Sequence, residues 1–283
     1  MYRKGILSVV LLACVGVGCG APTKAPTTTA SVTVTVGAIF GSGVCVIRGR
    51  EIYVWTAAHV VEYAYDPDQN TFTTVTVSRN VVEHGCVVRT QWRLADVIKY
   101  SGERDVALLR VRGWLPVQSA RFAHGTPDSG TPVTHVGSML GPSGAQSVTA
   151  GIISSHGRLI EGKDFVQSDA AVAPGSSGGG LFDESGKCVG LVLRMHRYAG
   201  MTYGVSVDRI RQWARDNGVL WAIDEEVDVP SINEQQFMTV RDSDNAPQIG
   251  HAEDEEFPFL IYPKAKDAEE FPFLLRYEPL AMP

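Results

Sequence analysis

Polar and apolar positions alternate with a period of two along most of the chain. Ser31-Val32-Thr33-Val34-Thr35-Val36 opens the pattern and reads as a strand. Gly41-Ser42-Gly43 reads as a turn, 44–47 and 52–55 as further strands, and Arg48-Gly49-Arg50 as the turn between them. The same signal predicts strands over 73–77, 85–89, 106–111, 131–136, 147–153, 165–168, 187–193 and 202–207. One helix is predicted, over 208–217. It gathers Val207, Ile210, Trp213 and Ala214 on one face, and Asn217-Gly218 stops it. Many short strands without intervening amphipathic helices predict an antiparallel all-β sandwich or barrel, not a parallel α/β sheet.

The chain has 283 residues, 44% of them apolar, which supplies a core and excludes wholesale disorder. The net charge of −6 excludes a nucleic-acid binder steered by bulk positive charge. That charge is split unevenly, with +5 over residues 1–223 and −11 over residues 224–283. A globular body followed by an acidic tail is the expectation.

The first residues read as an export signal. Arg3 and Lys4 precede an uncharged apolar stretch over 6–18, too short to span a bilayer and about right for a signal core. Gly18-Cys19 then fits a lipoprotein-type signal over 1–19, with Cys19 as the lipidated residue and Cys14 as the second choice. An ordinary cleaved signal is the alternative. The Pro/Thr-rich run that follows predicts a tether over 20–33. An exported protein is expected, held at the cell envelope by lipid or else secreted. Cys45, Cys86 and Cys188 remain in the body, so at most one disulfide forms. No pair has zinc-ligand spacing, and neither a metal nor a cofactor is expected.

Three segments carry candidate chemistry. His59 follows an apolar strand in Trp55-Thr56-Ala57-Ala58-His59-Val60. Asp105 opens the apolar strand Asp105-Val106-Ala107-Leu108-Leu109. Ser177 lies in the glycine-dense run Pro174-Gly175-Ser176-Ser177-Gly178-Gly179-Gly180. Each alone has a bland reading as a core histidine, a turn aspartate or a flexible loop. Their order on an all-β pattern is harder to dismiss.

Over about residues 34–221 the body resembles the trypsin-like (chymotrypsin-fold) serine proteases, most closely the bacterial HtrA/Deg-type branch. The resemblance rests on Gly41-Ser42-Gly43, on Thr56 to Val61 and on Asp105 to Leu109. It continues through Val136-Gly137-Ser138, Ser147 to Ser154, the Ser177 segment and Tyr203 to Val207. It implies a double antiparallel β-barrel with a C-terminal helix. It also implies a serine endopeptidase cleaving exposed or unfolded polypeptides through Ser177, His59 and Asp105. The family takes its oxyanion donors from the backbone at positions matching Gly175 and Ser177. The Gly-x-Ser-Gly-Gly pattern assigns the nucleophile to Ser177, not Ser176. Ala173 and Ser176 replace asparagines common in this branch, and Gly180 replaces a proline.

By the same resemblance the primary specificity pocket has Ala171 at its base and walls from Leu191, Val192, Leu193, Gly204 and Val205. No acid stands there, which implies small or medium aliphatic P1 residues. Only 62 residues follow Trp221, too few and too acidic for the peptide-binding PDZ domains of most relatives, so roles that depend on those domains are not expected. The alternatives are a catalytically silent peptide-binding or adhesion protein that keeps the fold, and an envelope protein acting through its tail. The tail, 222–283, is expected to be poorly structured, with a flexible lead over 233–250. It carries Glu255-Glu256-Phe257-Pro258-Phe259-Leu260, repeated as Glu269-Glu270-Phe271-Pro272-Phe273-Leu274. Four Phe in so acidic a stretch predict extended segments that dock on a surface.

Overall fold

The structure, a computed structural model, describes residues 26–236 and 238, apart from 85, 161 and 197–199. The export signal, residues 20–25 of the tether and both copies of the acidic repeat lie outside the described residues.

Six strands close the first barrel. They are β1 (Ser31–Val36), β2 (Ile39–Arg48), β3 (Glu51–Thr56), β6 (Val75–Glu83), β7 (Cys86–Ser101) and β8 (Val106–Val111). Their order is β1-β2-β3-β8-β7-β6, and β6 pairs back onto β1. A two-stranded ribbon, β4 (Tyr65–Asp66) and β5 (Thr71–Phe72), hangs between β3 and β6. The second sheet holds β9 (Arg121–Phe122), β10 (Pro132–Gly137), β11 (Ser147–Ile160), β12 (Lys163–Ser168), β13 (Gly180–Asp183), β14 (Lys187–His196) and β15 (Met201–Ser206). Its order is β13-β10-β11-β12-β15-β14-β9, and an added β13–β14 pairing bends the sheet round on itself. The predicted all-β, double-barrel architecture is the one observed.

Helix α1 (Ala58–Val61) follows β3 directly, and α2 (Val207–Asp216) closes the second barrel. The Ser206 side chain caps α2 by accepting from the Arg209 N–H, while Gly218 leaves it at φ +69°. All four residues predicted for its apolar face are buried. Trp213 meets Trp55 of β3 at 5.9 Å between ring centroids, so the end of the second barrel packs on the first.

Three sequence expectations are changed. Gly41-Ser42-Gly43 is not a turn but the middle of β2. A Cβ at Gly41 would stand 2.5 Å from a Val60 methyl, and one at Gly43 would stand 2.3 Å from a Val54 methyl. The glycines permit a close crossing rather than a bend. At the tether, residues 31–33 belong to β1 and are buried, because β1 lies between the two barrels, with Thr33 Oγ1 2.6 Å from Ser138 Oγ. At the other end, the ordered body continues past Trp221. Arg48 donates to the carbonyls of Trp221, Asp224 and Val227, and Arg211 pairs with Asp224 at 3.0 Å. The predicted flexible lead begins inside a short helix, α3 (Ile232–Gln236), where buried Gln235 donates to the Tyr53 hydroxyl at 2.9 Å. Acidic composition marked a boundary that backbone carbonyls and one glutamine move later.

Candidate active site

His59 is the second residue of α1, just beyond the end of β3. Asp105 sits in the turn between β7 and β8 with φ +54°, a left-handed conformation that aspartate tolerates better than most residues. In that conformation its carboxylate returns to the start of α1. It accepts from the His59 N–H at 2.9 Å, and its two oxygens lie 3.0 and 2.8 Å from His59 Nδ1. The proton on Nδ1 therefore faces Asp105, which leaves Nε2 as an acceptor.

Burial works against charge on the imidazole, yet the charge and hydrogen bond of Asp105 outweigh it and raise the His59 pKa. Burial likewise disfavours the Asp105 carboxylate, and His59, through its charge and two hydrogen bonds, holds it below its ordinary range. Glu62 stands close enough to raise His59, and Arg194 lowers both members of the pair.

Ser177 stands in a loop that packs on this corner from the second barrel. The next residue, Gly178, has φ +84°, and a Cβ there would lie 2.2 Å from the Ser42 carbonyl and 2.8 Å from the Ala57 nitrogen. Ser177 Oγ donates to the Leu193 carbonyl at 3.2 Å, so its proton is turned to β14 and not to His59. Ser176 Oγ instead accepts from the Ala173 N–H at 3.2 Å and ties the loop to itself. Backbone bonds from Ser176 to Ala173, from Gly178 to Val192 and from Gly179 to Ser176 complete the loop. The N–H groups of Gly175 and Ser177 have no acceptor among the described residues. Both residues are buried.

The pocket residues separate. Leu191, Val192, Leu193 and Val205 are buried within the core, with Leu191 opposite Val205 and Val192 opposite Gly204 on β14 and β15. The register shifts between Val192 and Arg194, which frees the Leu193 carbonyl for Ser177. A Cβ on Gly204 would lie 2.4 Å from the Leu191 carbonyl, so strand packing requires that glycine. Ala171 is exposed, in the loop between β12 and β13, with its carbonyl accepting from Thr149 Oγ1 at 2.6 Å. Beside Asp105, a cleft of ≈ 310 Å³ is lined by Phe165, Leu193, Arg194, Val205 and Arg209. The Arg194 guanidinium lies 5.0 Å over the Phe165 ring.

Sequence reasoning missed Arg194, Glu62 and the buried His135. Glu62 is beside His59 already in sequence, at the end of α1, whereas only packing brings Arg194 and His135 to the site. His135 is fully buried under the loop, where a Cβ on Gly179 would lie 2.5 Å from its ring. Its Nδ1 bonds the Gly180 carbonyl at 3.3 Å while Nε2 has no partner, and burial pushes its pKa down to about 4. Cys45, Cys86 and Cys188 are all free, and burial pushes the Cys45 and Cys188 thiols up to about 12, which makes them inert.

Comparison with known proteins agrees with this architecture. The family model of the trypsin-like peptidase domain matches residues 41–191. The serine protease Do-like HtrA of Lactobacillus helveticus is 31% identical over 149 residues, covering 50% of this chain and 36% of that protein. The serine endoprotease DegS of Haemophilus influenzae is 28% identical over 227 residues, covering 73% of this chain and 60% of that one. The chain thus spans less than two thirds of the length of either relative. A solved HtrA-type protease with a tripeptide shares the fold at a TM-score of 0.54 and 20% identity, covering 69% of this chain and 61% of that one. With its double barrel and a family match across the segments bearing His59, Asp105 and Ser177, the chain belongs to the trypsin-like peptidase family, in its HtrA-type branch.

Proposed function

We propose that the protein is a serine endopeptidase that hydrolyses exposed or unfolded polypeptides, with Ser177 as nucleophile, His59 as general base and Asp105 as its orienting partner. The observation that carries this reading is the pairing of His59 Nδ1 with both oxygens of Asp105, at 2.8 and 3.0 Å. It leaves Nε2 basic, on the corner against which the Ser177 loop packs. His59 takes the proton of Ser177 as Oγ attacks the scissile carbonyl and returns it to the leaving amine. The unpaired N–H groups of Gly175 and Ser177 receive the oxyanion. Rotation of Ser177 χ1 away from the Leu193 carbonyl precedes attack.

The family resemblance assigns the primary pocket to Ala171, Leu191, Val192, Leu193, Gly204 and Val205, none of them acidic, which supports a preference for small or medium aliphatic P1 residues. Curated relatives are named as periplasmic, which supports an envelope location here. Anchoring through a lipidated Cys19, with Cys14 as the second choice, completes the reading.

The second reading, a silent fold that binds peptides without cleaving them, is favoured by the Ser177–Leu193 hydrogen bond. A fluorophosphonate probe separates the two. Labelling that is fast in wild type and lost in Ser177→Ala supports the peptidase, whereas an inert wild type that still binds peptides supports the silent fold. The intact mass of the mature chain tests the anchor, and an unmodified chain starting beyond Cys19 overturns it.

A further inference from the structure

Ser42 belongs to the first barrel and is fully buried in β2, yet three of its four hydrogen bonds reach the second barrel. Its N–H donates to the Ser177 carbonyl at 2.7 Å. Its hydroxyl donates to the Gly175 carbonyl at 2.6 Å and accepts from the Ser138 N–H at 2.7 Å. Its own carbonyl accepts from Thr56 Oγ1 at 2.7 Å, three residues before His59.

The two carbonyls that Ser42 holds belong to Gly175 and Ser177, the same two residues whose N–H groups have no acceptor among the described residues. Gly175 has φ +92°, a conformation with little torsional preference of its own. The Leu140 N–H holds the Pro174 carbonyl on one side of it at 2.6 Å, and Ser42 holds its own carbonyl on the other. A Cβ at Gly175 would lie 2.3 Å from the Ser138 carbonyl, which presses this loop into the angle between Ser42 and Ser138. Gly41, just before Ser42, serves the same contact, since a Cβ there would stand 2.9 Å from the Ser177 carbonyl.

We propose that Ser42 is a positioning residue for the oxyanion hole. By holding the carbonyls of Gly175 and Ser177, each in the peptide group just after the one that carries that residue's N–H, it pins the loop torsions at both residues, while Leu140 and Gly179 hold the Pro174 and Ser176 carbonyls, and it couples that geometry to the docking of the two barrels. The proposal rests on the peptidase reading above.

The test compares wild type, Ser42→Ala and Ser42→Cys in the full chain, the Cys variant being near-isosteric with a weaker donor. Four quantities are measured: melting temperature, kcat and KM on a peptide substrate, the acid limb of the pH profile, and inhibition by a peptide aldehyde and its alcohol. Removing an oxyanion donor outright costs about 10²–10³ in kcat, so loss of its support is expected to cost about 10- to 100-fold. The order expected is Ser above Cys above Ala in kcat, at a KM within about twofold and with an unmoved acid limb. The aldehyde, which forms an oxyanion, should lose affinity in step with kcat, while the alcohol should not.

If Ser42→Ala lowers only the melting temperature, or weakens aldehyde and alcohol alike, Ser42 is a packing residue and the proposal is overturned. If Ser42→Ala does not fold, the Cys variant decides by the same ratio of aldehyde to alcohol. A folded wild type that neither hydrolyses peptides nor reacts with the fluorophosphonate overturns the peptidase reading, and this assignment with it.

Discussion

Asp105 holds both the backbone and the ring of His59, accepting from its N–H at 2.9 Å and lying 2.8 Å from Nδ1. The first bond satisfies one of the free N–H groups at the start of α1, which has no side-chain cap from Ala57. The second sets the tautomer. One carboxylate thus fixes where the imidazole stands and which nitrogen is basic.

The consequence for pH is direct. A base must be neutral to act, and Asp105 raises the His59 pKa, so the acid limb of kcat/KM should lie above the ordinary imidazole value of about 6.5. Arg194 opposes that rise, so Arg194→Ala should move the limb further up. Asp105→Asn should move it down and lower kcat by about 10⁴, because the ring loses its tautomeric guide. pH–rate profiles of the three proteins check this, and an unmoved limb in Asp105→Asn would contradict it.

The adjacent serines should differ sharply. Ser177→Ala is expected to abolish peptide hydrolysis, and His59→Ala to be about as damaging, since the two act as one unit. Ser176→Ala removes only a hydroxyl that accepts from the Ala173 N–H and should keep activity within about tenfold. Loss of hydrolysis in a folded Ser176→Ala would reverse the assignment.

His135 should make the fold acid-sensitive. Its folded pKa of about 4 lies below the 6.5 of an unfolded histidine, so its contribution is intact above pH 6.5 and is lost as pH falls toward 4. At 1.36 kcal/mol per pKa unit, the loss amounts to about 3 kcal/mol. Urea denaturation at pH 7 and pH 4 should show a smaller difference in His135→Gln than in wild type.

Gly178→Ala should be far worse than an ordinary Gly→Ala change. The left-handed backbone costs about 1–2 kcal/mol for a residue with a Cβ, and the new atom would also meet the Ser42 carbonyl at 2.2 Å. Thermal melting and peptidase rate should fall together, as the loop must leave the corner that carries His59.

At the specificity pocket, an Ala171→Asp variant is expected to shift cleavage partly toward Lys and Arg, which a peptide-library digest reads directly. Wild-type cleavage found mainly after Lys or Arg would overturn the aliphatic preference.

Much of this molecule is written in local pattern. Period-two alternation located β1 and a nearly continuous apolar run located β8 to the residue, and the 3.6-residue spacing of Ile210, Trp213 and Ala214 located α2, because which face meets the core is a property of neighbours in sequence. Other features stayed hidden. β13, over Gly180–Asp183, follows a glycine run without alternation, and β7 runs on to Ser101, well past the predicted 85–89, through exposed Trp92 and Leu94. Gly41-Ser42-Gly43 looked like a turn because glycine frees the backbone, whereas here it removes side chains where Val60 and the Ser177 carbonyl approach Gly41 and where Val54 approaches Gly43.

The same division runs through the candidate site. His59, Asp105 and Ser177 were legible because each lies in a distinctive short motif. The left-handed turn that aims Asp105, the grip of Ser42 on Gly175, and His135 beneath the loop depend on residues between 44 and 133 positions apart. Sequence by itself determined most of the strands, helix α2 and the candidate reactive groups, since those follow from side-chain chemistry and local pattern. Only the tertiary structure decided which carbonyl meets which hydroxyl, because hydrogen bonds between barrels depend on how two separately closed sheets dock.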